Sequence, residues 1–229
     1  QGDADETVLP RWAAWRAQAG EDDAVSLALV EATQAALPAI LRGAQAATAV
    51  VFPQATMQRV EGMYRGNPLT DHCNTVVAQA LVHYLRARLA ADPTARLRLL
   101  EVGAGTGGTS AVVFAALGEY AAHIEEYAYT DLFKAVLHHA QAQYAPQVSY
   151  LRGRVFDVER EAAGQGLDVH GYDVVIATNV IHATRDIRQA LGHGKAVLKG
   201  QGRLLLTELR GNSALGQLTF GLLEGWWRS

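Results

Sequence analysis

The stretch Leu97 to Ser110, LRLLEVGAGTGGTS, runs an apolar segment into a loop with glycines at 103, 105, 107 and 108, and a helical pattern starts near Thr109. Glycine lets a backbone turn sharply and approach a ligand with no Cβ in the way. Open α/β sheets bind nucleotide-like ligands beyond the carboxyl ends of their strands, at loops of this kind. Three carboxylates accompany the loop. Glu101 stands at the strand end before the first glycine, Asp131 ends the next strand in YTD, and Asp157 follows the third strand in RVFDVER with Val158 beside it. A carboxylate such as Asp131 accepts from both hydroxyls of a ribose, and Asp157 can accept from an adenine amino group. Farther on, His182 in ATNVIHATRDIRQAL and Glu208 in LLLTELR follow the fourth and fifth strands, on the same rim as the loop. An imidazole there can take a proton near neutral pH, and a carboxylate behind it fixes the tautomer and raises its basicity. Each feature also has a plain reading: a glycine-rich turn, solvated carboxylates for Asp131, Asp157 and Glu208, and a helix-capping histidine for His182.

The loop GAGTGG satisfies two fingerprints. Gly103, Gly105 and Gly108 match the dinucleotide pattern G-x-G-x-x-G, whereas Gly103, Gly105 and Gly107 with Glu101 in front match that of S-adenosylmethionine-dependent methyltransferases. The loop by itself does not choose. Dinucleotide sites usually carry an apolar residue at position 101, while methyltransferases place an acid there, facing the methionine end of the cofactor or its water shell. Asp157 adds an adenine acceptor, and the motif lies far from residue 1, where dinucleotide domains often begin. These features favour the methyl donor and leave a nicotinamide-dependent oxidoreductase as a lesser alternative.

The elements that must position these residues fall into two regimes. Up to about residue 92 the pattern is helical. Trp12, Trp15 and Ala19 share one face. Val25, Leu29, Ala32 and Ala36 recur at helical spacing, and Pro38 predicts a kink or break there. ATMQRVEGMY is a short helix, RGNPLTD a turn with Asp71 as N-cap, and residues 74–89 an amphipathic helix with Val77, Leu81, Tyr84, Leu85 and Leu89 inward. Beyond Arg96, strands are expected at 97–102, 126–130, 148–152, 173–177 and 203–208, with helices at 109–117, 133–143, 187–198 and 215–227. This alternation predicts an α/β fold, a Rossmann-like, doubly wound and mostly parallel sheet with an N-terminal helical cap. The cap is expected over residues 1–73 and the core over 74–229.

Composition bounds the function classes. With 229 residues, 49% of them hydrophobic, the chain can bury a large core. A net charge of −3 with scattered Lys and Arg argues against a nucleic-acid partner. No apolar run reaches the ~20 residues of a membrane span, and the start QGDADET is no signal peptide. The single cysteine, Cys73, makes no internal disulfide and no thiolate metal cluster, which suits a reducing cytoplasm. His138 and His139 are helix neighbours pointing apart, so no metal pair is expected.

LLEVGAGTGGTS, YTD, FDVE, YDVVIATNVIHATRDIRQAL and LTFGLLEGWW, with VVFPQATMQRVEGMYRGNPLTDHCN before them, resemble the C-methyltransferase domains embedded in modular polyketide synthases, specifically those of assembly lines with free-standing acyltransferases. The resemblance implies a class I methyltransferase that uses S-adenosylmethionine, releases S-adenosylhomocysteine and needs no metal. Its substrate would be a β-ketoacyl thioester on the phosphopantetheine of an acyl carrier protein, methylated at the α-carbon, with neighbouring synthase domains as partners. His182 then corresponds to the catalytic base and Glu208 to its acidic partner. Glu101, Gly103, Gly105, Gly107, Asp131, Asp157, Val158 and Asn179 fall on cofactor positions. Tyr64 falls where such domains place an aromatic near the substrate, and residues 57–64 would close over the acyl chain. Two further strands would follow residue 229 to complete the sheet. His72-Cys73 replaces a common aromatic pair, and Leu132-Phe133-Lys134 replaces the usual small polar residue after the ribose acid. O-methylation of a β-hydroxyl by a sister domain fits the same motifs, and an inactive scaffold or cofactor-binding module is the remaining alternative.

Overall fold

The computed structural model describes residues 8–18, 20, 24–51, 68–208, 214–223 and 226. The chain divides into two compact units, residues 1–67 with 212–223, and residues 68–211 with 224–229. The second holds the sheet. Helix α4 (Pro68–Ala91) is followed by β1 (Leu97–Val102), α5 (Gly108–Leu117), β2 (Ile124–Asp131), α6 (Lys134–Tyr144), β3 (Leu151–Val155), β4 (Tyr172–Thr178), α7 (Ile187–Ala196) and β5 (Leu198–Thr207). All neighbouring strands are parallel, in the order β3-β2-β1-β4-β5. The first three strands proceed one way from β1 and the last two lie on its other side. The order therefore reverses between β1 and β4, the switch point where a crevice opens beyond the strand ends.

Side-chain alternation builds a core on each face of the sheet. Leu97 and Leu99 join Val77, Leu81 and Leu85 of α4, Val113 and Leu117 of α5, Tyr127 and Tyr129 of β2, and Val174 and Ile176 of β4. Leu100 and Val102 join Ala128, Phe156, Val175, Ala177, Ile181 and Ala190 on the opposite face. Burial on both faces explains the near-continuous apolar run of β4, whereas the edge strand β3, LRGRV, is largely exposed. Among the described residues no helix is long and apolar enough to cross a membrane.

In the first unit, α1 (Val8–Gln18), α2 (Ala24–Leu41) and α3 (Ala47–Val51) are joined by α8 (Ala214–Leu218). The buried Thr33 hydroxyl donates to the Leu218 carbonyl at 3.0 Å and Gln34 Nε2 to the same oxygen at 3.2 Å. Trp12 Nε1 donates to Glu31, which also pairs with Arg16.

Several boundaries differ from the sequence expectation. Helix α4 starts at Pro68 rather than Asn74, because a proline at the first helical position gives up only an N–H that has no partner there. Asp71 thus lies in its first turn. Helix α2 runs unbroken through Pro38, at the loss of one backbone rung near its end. The third strand starts at Leu151, not at residue 148. Val148 N–H bonds the Tyr144 carbonyl and Leu151 N–H the Val148 carbonyl, so Val148 is buried in a turn after the helix, while the Tyr150 carbonyl accepts from Tyr127 N–H of β2. Strand β5 extends back to Leu198. The last helix stops at Leu218, where the Thr219 hydroxyl takes the Leu215 carbonyl, and one 3₁₀ turn (Phe220–Leu222) follows.

Candidate active site

The loops after β1 and β4 meet at the switch point. Gly103, Gly105 and Gly107 all have positive φ, +58°, +57° and +81°. A Cβ on Gly103 would stand 3.1 Å from Val180 Cβ and collide with its Cγ2, so the glycine loop lies directly against the turn that carries His182. Gly105 faces open space, since an added Cβ would meet only the Gly103 carbonyl at 3.9 Å. Its bare backbone is the part of the loop a ligand can approach.

Asp131 ends β2 beside this loop and is buried. Its Oδ2 accepts from Gly105 N–H at 3.0 Å and its Oδ1 from Phe133 N–H at 2.9 Å. Burial pushes its carboxyl up, against the lowering pull of those backbone N–H groups. A carboxylate thus already sits on the loop N–H that would greet an anion. A pyrophosphate there would meet a like charge, whereas the hydroxyls of a ribose would find an acceptor.

Glu101 is deeper than the sequence suggests. It is buried, and its Oε2 accepts from Ser110 Oγ and, at 2.7 Å, from the Tyr127 hydroxyl. Burial pushes its pKa up to about 7, with those two hydrogen bonds pulling the other way. Its main-chain carbonyl accepts from Thr130 Oγ1 at 2.6 Å. Helix α5 is tied to α4 by the Thr109 hydroxyl, which donates to the buried Asn74 Oδ1 at 2.9 Å.

Asp157 lies past β3, next to the Asp131 strand end, since Asp131 pairs with Val155. Its Oδ1 accepts from Glu159 N–H at 2.9 Å, and Gln165 clamps its backbone on both sides, at 2.8 and 2.9 Å. Val158 turns its side chain into the core with Phe156 and Ala162, and its carbonyl lies 2.8 Å from His193 Nδ1.

The chemistry-bearing pair forms across β4 and β5. Thr178 and Thr207 are register partners at the two strand ends, so the residues that follow are brought level. Asn179, at φ +52°, bends the chain over and donates its N–H to the Thr207 carbonyl at 2.8 Å. Asparagine is among the few non-glycine residues that tolerate this conformation. The 3₁₀ turn Ile181–Ala183 then presents His182. Its Nδ1 lies 2.5 Å from Glu208 Oε2, and Glu208 Oε1 accepts from the N–H groups of Val180 and Ile181 at 3.1 and 2.7 Å. A carboxylate collecting these donors is an acceptor toward the ring, so a neutral His182 has its proton on Nδ1 and its lone pair on Nε2. Glu208 thus fixes the orientation of the ring against the Val180–Ile181 turn.

The structure therefore brings Gly103, Gly105, Gly107, Asp131, Asp157, Asn179, His182 and Glu208 to one rim of the sheet, with Glu101 beneath it. Tyr64 lies outside the described residues. Ser110, Tyr127, Tyr129 and Tyr144, which hold Glu101 and the loop, were not singled out from the sequence. The available signal was the two-residue spacing of Tyr127, Tyr129 and Asp131, which puts them on one face of β2. Among the described residues no group of three His, Cys, Asp or Glu side chains assembles as a metal site.

Residues 100–204 match the model of a family described as "Methyltransferase domain". The polyketide synthase PksM of Bacillus subtilis is 47% identical over 98% of this chain, which spans 5% of that protein's length. The crystal structure of the CurJ carbon methyltransferase superposes with a TM-score of 0.87 at 33% identity, covering 96% of this chain and 56% of that one. That of the DszA carbon methyltransferase gives 0.86 at 36% identity with the same coverage.

Proposed function

The chain belongs to the methyltransferase domains of polyketide synthases, enzymes that take their methyl group from S-adenosylmethionine, and on that premise we propose that it methylates the α-carbon of a β-ketoacyl thioester carried by an acyl carrier protein. The observation that carries this reading is the His182–Glu208 pair on the turn that packs against the glycine loop. A base within a side chain's reach of the cofactor loop is what carbon methylation requires.

The residues fit the cofactor. Gly105 offers bare backbone toward open space, Asp131 presents a carboxylate suited to ribose hydroxyls, and Asp157 and the Val158 backbone lie at the adjoining strand end to meet adenine. Gly103, Gly107, Glu101 and Asn179 complete the set that would hold it. When bound, S-adenosylmethionine supplies an electrophilic methyl group on a sulfonium. Asp131 on the loop N–H disfavours a dinucleotide pyrophosphate.

The mechanism assigned to the chain's own residues is proton removal. The α-proton lies between a ketone and a thioester carbonyl, which makes it acidic enough for an imidazole. His182 takes it at Nε2, and Glu208, facing Nδ1–H, stabilises the imidazolium that results. The enolate carbon is left as the nucleophile. The rest of the site aligns the reactants and excludes water. We assign residues 1–73, including Tyr64, to the acyl chain. The acyl carrier protein and adjoining synthase domains are the partners this reading requires, in the cytoplasm.

The test offers a β-ketoacyl and a β-hydroxyacyl pantetheine thioester with the cofactor and reads where the methyl lands. Methyl on the α-carbon of the first supports the proposal. Methyl on the oxygen of the second makes this an O-methyltransferase, and neither product with no cofactor binding makes it a scaffold.

A further inference from the structure

The glycine loop is a chain of peptide planes, and each plane has its own anchor. Ala104 N–H donates to the Thr130 carbonyl at 2.8 Å, and Gly105 N–H to Asp131 Oδ2 at 3.0 Å. Gly107 N–H donates to the Ala104 carbonyl at 3.0 Å. Two of the loop carbonyls are met by phenols. The Tyr129 hydroxyl donates to the Gly105 carbonyl at 2.7 Å, and the Tyr144 hydroxyl to the Gly107 carbonyl at 3.3 Å. The Gly107 carbonyl has a second donor, Ala111 N–H at 2.9 Å, whereas Tyr129 is the described donor to Gly105.

The same tyrosines explain why position 107 is glycine. A Cβ there would stand 2.8 Å from the Tyr144 hydroxyl oxygen and 3.2 Å from that of Tyr129. Two phenol groups thus fill the space where a side chain would be. At Gly105 the space is open, so the second and third glycines of one motif serve different ends. Both tyrosines are rigidly seated. Tyr129 is buried in β2, and Tyr144 packs edge-on against Phe114 at a 5.2 Å centroid distance.

We infer that Tyr129, assisted by Tyr144, is a positioning residue of the cofactor loop, which pins the Gly105 carbonyl inward so that the Gly105 backbone and Asp131 keep the arrangement a cofactor meets. Glycines at positive φ flip their peptide planes at little steric cost, and a plane freed of its bond samples loop forms that do not bind. Observed affinity falls by the fraction of loop in the competent form. Tyr129 and Asp131 stand two apart on one face of β2, so one strand controls both the Gly105 carbonyl and the Gly105 N–H. The inference rests on the reading of this loop as the S-adenosylmethionine site.

The test uses Tyr129→Phe, Tyr144→Phe and the double variant, which remove only hydroxyls. S-adenosylhomocysteine binding is read by calorimetry, alongside the KM for each substrate and kcat. Tyr129→Phe is expected to weaken S-adenosylhomocysteine binding and raise the KM for S-adenosylmethionine by about tenfold, the loss of one buried, singly satisfied bond. Tyr144→Phe should cost less, because Ala111 still serves its carbonyl. The thioester KM and the kcat at saturating cofactor should stay within about twofold of the parent chain. Unchanged cofactor binding in the double variant overturns the inference while leaving the function standing. Loss spread equally over both substrates, with a lowered melting temperature, assigns the tyrosines to the core alone and also overturns it. If the parent chain binds no S-adenosylhomocysteine, the functional reading falls first and the inference with it.

Discussion

Replacing Glu101 by Gln tests the site at its most buried charge. Glu101 lies beneath the glycine loop with its pKa pushed from 4.5 to about 7, so between those values the folded chain keeps a proton that the unfolded chain has lost. The folded state binds more protons there, so stability falls as pH rises through that window. The stabilisation is fully present below about pH 4.5 and is gone above about pH 7. A gap of roughly 2.5 units at ~1.36 kcal/mol each amounts to about 3 kcal/mol. Glutamine keeps an oxygen for the Ser110 and Tyr127 hydroxyls and has no proton to lose. Urea unfolding of both chains from pH 5 to 8.5 should therefore show the parent losing ground to Glu101→Gln by up to about 3 kcal/mol. For a chain of this size that is on the order of 6–12 °C in melting temperature. Asp131, whose carboxyl is also raised by burial, repels the Glu101 charge, so part of the difference between the two chains is carried by this coupling. Parallel stability–pH curves would show that Glu101 is ionised and well solvated in the fold, and the reasoning from burial would be wrong.

Further outcomes follow from the pair and the loop. His182→Ala should lower kcat by about 10²–10⁴-fold, with cofactor affinity within a few-fold of the parent, in a steady-state assay paired with calorimetry. Glu208→Gln should lower kcat by at least about 10²-fold, because its amide neither stabilises the imidazolium nor accepts at both the ring and the Val180–Ile181 turn. Gly103→Ala combines positive φ with a collision against Val180 and should cost about 1–3 kcal/mol in chemical denaturation, with turnover falling as the His182 turn is displaced. Gly105→Ala has open space at its Cβ, so its stability loss should stay near ~1 kcal/mol and its main effect should appear as weaker cofactor binding.

Much of this was legible in the amino-acid order because local rules govern it. Apolar runs buried on both sheet faces, broken by helical periodicity, set the alternation of strands and helices from Leu97 onward. A glycine loop at a strand-to-helix junction announces a ligand site, and His182 and Glu208 each follow a strand, which puts them on its rim. Where local rules were ambiguous the reading slipped. Val148 is apolar and buried, as a strand residue would be, yet its N–H serves the Tyr144 carbonyl at the end of helix α6. Residues 212–223 cluster with the N-terminal helices, a contact that sequence separation hides.

Tertiary structure alone decided which side chains meet. His182 and Glu208 touch because β4 and β5 are parallel neighbours with Thr178 opposite Thr207, and pairing order is a property of the whole sheet. The depth of Glu101, and hence its raised pKa, depends on Ser110 and Tyr127 arriving from other elements. The tyrosine anchors of the loop have no motif for the same reason. A hydroxyl finds its carbonyl through the packing of β2 against β1 and of α6 against β2 and β3, and the sequence specifies that packing through many weak contacts rather than through any local pattern.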